Sequence, residues 1–247
     1  MSPFFASILA AIIVSLLSFL GIFFIFIKNK TLNQITLFLI SFAIGGLLGD
    51  AFIHLIPESF RKITHSSTVS FLLLGGILLF FVLEKFIRWR HCHEPESHSH
   101  LSPHIITLNL IGDTVHNFID GAIIAASFNV SFFVGLTTSL AVIIHEIPHE
   151  IGDFGIFVHN GVSPRKAIFY NFFSALASIL GVILVFLINS GFSIYLIPIT
   201  AGGFIYLAAT DLIPELHRHD PQIKTSFIQL IFILFGISLM SLLLLLE

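Results

Sequence analysis

The sequence predicts an all-α, polytopic membrane protein with eight transmembrane helices, and three observations predict it. Its 247 residues have a mean hydropathy of +1.01, with 56% hydrophobic and only 10% charged. That is more apolar surface than one water-soluble core can hide, so the lipid bilayer is the expected solvent. The apolar residues fall into eight runs, each near the roughly 20 residues that cross about 30 Å of hydrocarbon. Finally, the acids buried within those runs concentrate in two of them. Net charge is -3 with no basic block, which gives no footing for nucleic acid. Cys92 is the single cysteine, so no intrachain disulfide forms.

The runs are 3–27, 32–57, 67–87, 105–127, 132–158, 166–189, 193–213 and 226–246. The first lacks a charged leader and a small-residue cleavage site and exceeds a signal-peptide core in length, so it reads as a retained span. Connections are short except for the His-rich stretch 88–104 and the polar stretch 214–225. The chain 1–247 therefore reads as one transmembrane domain. One set of alternating loops holds Lys28, Lys30, Lys85, Arg88, Arg90, Arg165, Lys166, Arg218 and Lys224, and the other holds only Arg61 and Lys62. The richer set is expected in the cytoplasm, with both termini extracytoplasmic, in a cell (plasma or inner) membrane. Trp89, between Arg88 and Arg90, suits the cytoplasmic interface.

The second and seventh runs repeat. Gly45-Gly46, seven residues, then His54-Leu55-Ile56-Pro57-Glu58 aligns with Gly202-Gly203, seven residues, then Asp211-Leu212-Ile213-Pro214-Glu215, 157 positions on. The charge rule gives these runs opposite directions, so the pair is an inverted repeat, a recurring architecture of alternating-access transporters. His54 is then expected toward the outer mouth and Asp211 toward the inner one, with Asp50 one turn before His54.

The fourth run contains His116-Asn117-Phe118-Ile119-Asp120-Gly121, and the fifth His145-Glu146-Ile147-Pro148-His149-Glu150. Residues four apart share a helix face, so His116 lies over Asp120 and His145 over His149. Asn117 and Glu146 fall near the same stripes. The metal-ligand candidates are therefore His116, Asn117, Asp120, His145, Glu146 and His149. Asp113, Glu150 and Asp153 add carboxylates, and neither run contains Lys or Arg. Each acid at mid-membrane costs about 2.5–3.5 kcal/mol, so five approach an upper figure on the order of 12–18 kcal/mol. Protonation, water or a visiting cation must offset that. Metal ligands bind deprotonated, so loading releases protons and proton-linked movement becomes chemically available.

Imidazole with carboxylate suits zinc, with iron and manganese also open, whereas calcium prefers all-oxygen cages. The cation is a transported substrate in this reading, and no cofactor is expected. Pro148 removes a helix hydrogen bond near Ile144 and is expected to kink the helix and open room beside the ligands. The chain thus reads as a membrane transporter of a divalent metal.

These residues resemble the ZIP (Zrt- and Irt-like) metal-transporter family. The resemblance rests on H-N-F-x-D-G in the fourth helix, H-E-x-P-H-E in the fifth, Ile151-Gly152-Asp153-Phe154 after it, and the stretches Asp50–Pro57 and Asp211–Glu215. It covers nearly the whole chain. It implies that helices four and five lie between two inverted three-helix halves. It implies a two-metal site half-way across, with Asp120 and Glu146 as bridging carboxylates, and movement into the cytoplasm. A homodimer is compatible with it. Two departures stand out. Some relatives carry a large amino-terminal domain, whereas this chain opens almost at its first span. The sixth span reads Asn171-Phe172-Phe173-Ser174, without the acid that some relatives supply there.

The loop from His91 and His93 through His98, His100 and His104, with Cys92, has the composition of a metal acceptor or sensor, and equally of a solvated linker. Asn160-Gly161 marks a helix stop. The rival reading is an intramembrane zinc protease, since His145-Glu146-x-x-His149 fits H-E-x-x-H. Proline inside that motif, and an Asp-Gly that precedes it rather than follows, count against an enzyme. Polar residues that merely glue helices together are the third reading, and six donors without a base exceed what packing needs.

Overall fold

A computed structural model describes residues 1–20, 29–89, 103–188, 193–217 and 223–246. They form eight helices with no strand among the described residues: α1 (Pro3–Leu20), α2 (29–62), α3 (Ser66–Trp89), α4 (Pro103–Val130), α5 (Phe132–His159), α6 (Pro164–Leu187), α7 (Ser193–His217) and α8 (223–246). Seven of them are long and apolar enough to cross a bilayer. The eighth, α4, has 28 residues, ample length at about 1.5 Å each. It is less apolar because Asn109, Asp113, His116, Asn117, Asp120 and Asn129 interrupt it. The chain is an all-α polytopic membrane protein.

Local chemistry sets the helix ends. Ser2 caps α1 through a bond from the Phe5 amide, with Pro3 in the first turn, where a missing N–H costs nothing. Ser131 joins α4 to α5 as a single extended residue and accepts from the Val134 amide at 3.1 Å. At the far end of α5, Gly161 takes a left-handed φ of 83°. There the Val162 amide bonds Phe157 O and the Gly161 amide bonds Val158 O, closing the helix as the Asn-Gly signal predicts.

The repeat extends into the backbone. Near the middle of α2, residues Asp50–Leu55 widen into a π turn in which the Ile56 amide reaches Ala51 O. In α7, Ala208–Leu212 does the same, with the Ile213 amide reaching Ala208 O. Both turns precede an Ile-Pro pair, Ile56-Pro57 and Ile213-Pro214. Each proline withholds an amide and crowds the carbonyl a turn earlier, and widening accommodates this.

Packing follows the same symmetry. Phe38 stacks on Phe232 and Phe42 on Phe235, so α2 and α8 run side by side in one direction. Their backbones touch through glycine: a Cβ on Gly45 would strike Ile233 O, and one on Gly236 would strike Phe42 O. The α3/α7 pair repeats this with Gly76 against Ile199 O and Gly202 against Leu73 O. Helix α4 meets α6 likewise, Gly121 against Ser178 O and Gly181 against Phe118 O. In α3 and α8, 11% of the apolar window is buried, against 61% in α2 and α5, so the former face lipid and the latter form the interior. The core gathers Leu47, Leu55, Ile124, Val142, Phe204 and Met240 around the α2/α4/α5/α7 junction.

Candidate metal centre

The site lies where α4 and α5 run antiparallel. His116, Asn117 and Asp120 come from one helix and His145 and Glu146 from the other, all but His116 nearly fully buried. His116 Nε2 is 3.3 Å from His145 Nε2, 3.3 Å from Glu146 Oε1 and 3.6 Å from Asp120 Oδ2. His145 Nε2 is 3.1 Å from that same Asp120 oxygen. An ion about 2.0–2.1 Å from four tetrahedral donors holds them about 3.3 Å apart, the scale of these separations.

The orientation of His145 fits the same purpose. Its Nδ1–H donates to Ala141 O at 3.1 Å, one turn back on α5. That bond fixes the tautomer and leaves the Nε2 lone pair facing the other donors, as with a metal-bound histidine. Both Glu146 oxygens and Asp120 Oδ2 are buried without a hydrogen-bond donor among the described residues.

A second donor set adjoins the first. His149 Nδ1 is 3.2 Å from Asp153 Oδ2 and 3.9 Å from Asp113 Oδ1. The His149 ring stacks on His116, centroids 4.5 Å apart and planes 3° from parallel, so the sets share a wall. The ligand atoms of His116, Asp120, His145 and Glu146, and separately those of Asp113, His149 and Asp153, lie within 4.8 Å of one another. His149, grouped from sequence with His145, thus stands with the second set. Asn117 donates Nδ2–H to Asp113 Oδ1 at 2.8 Å, and its own Oδ1 has no donor. Glu150 is buried beside both sets with neither oxygen bonded.

Supporting residues escape a motif search. Asn109 donates to Asp153 Oδ1 at 3.0 Å. Ser174 of α6 donates to Asp113 Oδ2, and Asn171 donates to Glu150 O at 3.0 Å. The spacing Asn171-x-x-Ser174 on one face of α6, and Asn109 four before Asp113, was the available signal. The helix α5 continues through Pro148. Asp50 and His54 lie buried in the α2 π turn and belong to neither donor set. The Asp211 backbone lies in the matching turn of α7. The Asp211 side chain and the loop containing His91 and His93 lie outside the described residues.

This arrangement can exchange the water of a borderline divalent cation for imidazole and carboxylate. It has no Lys or Arg on α4 or α5 to compete with one. A two-histidine H-E-x-x-H zinc is a poor fit, since the two histidines face different donor sets. Comparison with known proteins agrees. The zinc transporter YKE4 of Saccharomyces cerevisiae is 31% identical over 283 residues, covering 98% of this chain and 81% of that protein. Zinc transporter zipt-7.1 of Caenorhabditis briggsae is 32% identical over 278 residues, covering 85% of this chain and 71% of its own. Zinc transporter ZIP13 of Pongo abelii is 34% identical, covering 83% of this chain and 65% of its own. The family described as ZIP zinc transporter matches residues 3–107 and 96–244. With nearly its whole length matched, the chain belongs to the ZIP zinc transporter family.

Proposed function

We propose that the chain imports zinc, with iron or manganese as further substrates, into the cytoplasm through the two donor sets of α4 and α5. The observation that carries this reading is a pair of adjoining, largely buried, acid-rich donor sets with no Lys or Arg on α4 or α5 to neutralise them. His116, Asp120, His145 and Glu146 hold the first ion. Asp113, His149 and Asp153 hold the second, with Asn117 and Glu150 bordering both. Asp120 and Glu146 are the carboxylates that pass an ion between partners. Asp50 and His54 lie on the approach from outside and Asp211 on the exit. Direction and sidedness rest on the excess of Lys and Arg in one set of loops, which keeps both termini outside. The host membrane is the cell membrane. Deprotonated ligands are needed for loading, so proton release accompanies ion entry. The H-E-x-x-H protease is not favoured, because the matched family is one of transporters.

The test is uptake of radioactive zinc into proteoliposomes by the wild type, His145→Ala and Asp120→Ala, with competing iron and manganese and an imposed pH gradient. Uptake by the wild type and its loss in both variants is expected. Equal uptake in all three would refute the site.

A further inference from the structure

Where α2, α7 and α8 come together, a cavity of about 570 Å³ opens, within the roughly 300–1,000 Å³ of ordinary small-molecule sites. No residue of α4, α5 or α6 lines it among the described residues, so it is separate from both donor sets. Its walls change character along their length. His217, Thr225, Ser226 and Gln229 stand at one end, where the apolar stretch of α7 finishes and that of α8 begins. Ile44, Leu48, Leu230 and Ile233 line the rest. Thr225, Gln229 and Ile233 recur every four residues, so one face of α8 passes from hydroxyl to amide to hydrocarbon. At Ile233 the helices α2 and α8 touch, with no room for a Cβ on Gly45 against Ile233 O, and this contact floors the cavity.

From Thr225 to Ile233 the helix rises about 12 Å, close to half of the roughly 30 Å of bilayer hydrocarbon. The cavity thus has the length and polarity of one leaflet, polar at the membrane boundary and apolar toward mid-depth. Water finds too few partners along the apolar walls to fill it. No Asp, Glu, Lys or Arg lines it, so it offers a cation no carboxylate. The amphiphile that surrounds a membrane protein has the complementary pattern. The hydroxyls of Thr225 and Ser226 and the amide of Gln229 can donate to phosphate oxygens. They lie in the first two turns of α8, which starts at Ile223, so the positive end of the helix dipole adds to the attraction. Lys224 adjoins Thr225 in the chain and carries charge of the same sign.

We propose that a phospholipid occupies this cavity, one acyl chain running between α2 and α8 toward Ile44 and its phosphate held by Thr225, Ser226 and Gln229. Ile213, directly after the π turn of α7, also lines the cavity, so the lipid buttresses the widened helix. Assigning the lipid to the cytoplasmic leaflet rests on the sidedness proposed above; the binding itself does not.

Native mass spectrometry of the full chain in detergent, titrated with phosphatidylglycerol, tests this. The wild type is expected to keep one phospholipid at concentrations where further lipids are lost. Leu230→Trp puts a large ring into the cavity from a position already 49% exposed, and should weaken retention about tenfold. Leu242→Trp, on the same helix, 59% exposed and away from the cavity, should leave it unchanged. Thr225→Val combined with Gln229→Leu keeps the shape and removes donors. It should weaken phosphatidylglycerol at least threefold and leave diacylglycerol, which has no phosphate, unaffected. Equal loss in both tryptophan variants would mean an unspecific lipid shell and overturn the proposal. Equal retention by the wild type and Leu230→Trp would overturn it too, the result expected of a cavity filled by water or by another segment of the chain. Diacylglycerol held as tightly as phosphatidylglycerol by the wild type would refute the phosphate assignment.

Discussion

The α4/α5 seam and the α3/α7 seam cross the same protein and are built on opposite plans. In α3/α7, Gly76 and Gly202 bring backbones so close that a single Cβ has no room. In α4/α5, polar side chains fill the seam at the site, and their buried oxygens, on Glu146 and Glu150 above all, have no donors among the described residues. Close glycine contact maximises dispersion where lipid offers no hydrophobic drive. Unpartnered carboxylates do the reverse and are tolerable only where protonation, water or a cation offsets them. The contrast separates close-packed scaffold from the polar seam in which the proposed ion would sit.

Glu146→Gln is the sharpest way to test that contrast. With a buried acid neutralised, the metal-free protein should gain stability, by up to about 2.5–3.5 kcal/mol if the charge is fully uncompensated. Zinc uptake should fall in the same variant. A thermal midpoint that drops, measured without metal, would mean that the carboxylate is a structural partner instead.

Gly76→Ala should act oppositely, destabilising by about 1–3 kcal/mol through overpacking against Ile199 O, whether or not metal is present. Gly45→Ala should match it across the repeat, against Ile233 O. A large difference between the two, read as unfolding midpoints, would break the symmetry inferred from the paired π turns.

Ser174→Ala removes a donor from Asp113 while leaving the bond from Asn117. Loss of such an outer partner costs about 10-fold in metal affinity at the low end of the usual range, and zinc titration should register it with little change in melting. Smallest of all is Gly75→Ala. Its Cβ meets nothing within 4 Å, although Gly75 adjoins Gly76. A neutral effect, or a gain of up to about 1 kcal/mol from helix propensity, is expected in the same melting assay.

Much of this was legible in the chain because it is local. The spacings His116 to Asp120 and His145 to His149 follow from the helical period alone. The 157-residue offset between Gly45 and Gly202, or between Pro57 and Pro214, is read directly off the sequence as a repeat. What spacing could not reveal is the register between helices. The antiparallel docking of α4 on α5 brings Asp113 to His149, which also meets Asp153 one turn on along α5, rather than pairing it with His145. Parallel docking likewise selects Gly236 and Gly76 as partners, though neither belongs to the repeated motif. The π turns were hidden too, since proline announces a disturbed helix without saying whether it bends or widens. Seven helices are apolar enough to read as spans by composition and α4 is less so, because the residues proposed to hold the ion make it polar.

The account stands on one cation replacing absent partners in the α4/α5 seam. Zinc-edge X-ray absorption of the wild type and of a variant carrying His145→Ala, Asp120→Ala, His149→Ala and Asp153→Ala, each loaded with one equivalent, tests it most directly. The wild type should give nitrogen and oxygen neighbours at about 2.0–2.2 Å with imidazole scattering, and the variant, with both donor sets broken, should lose that signature. Sulfur at about 2.3 Å in the wild type, or an unchanged spectrum in the variant, would contradict it.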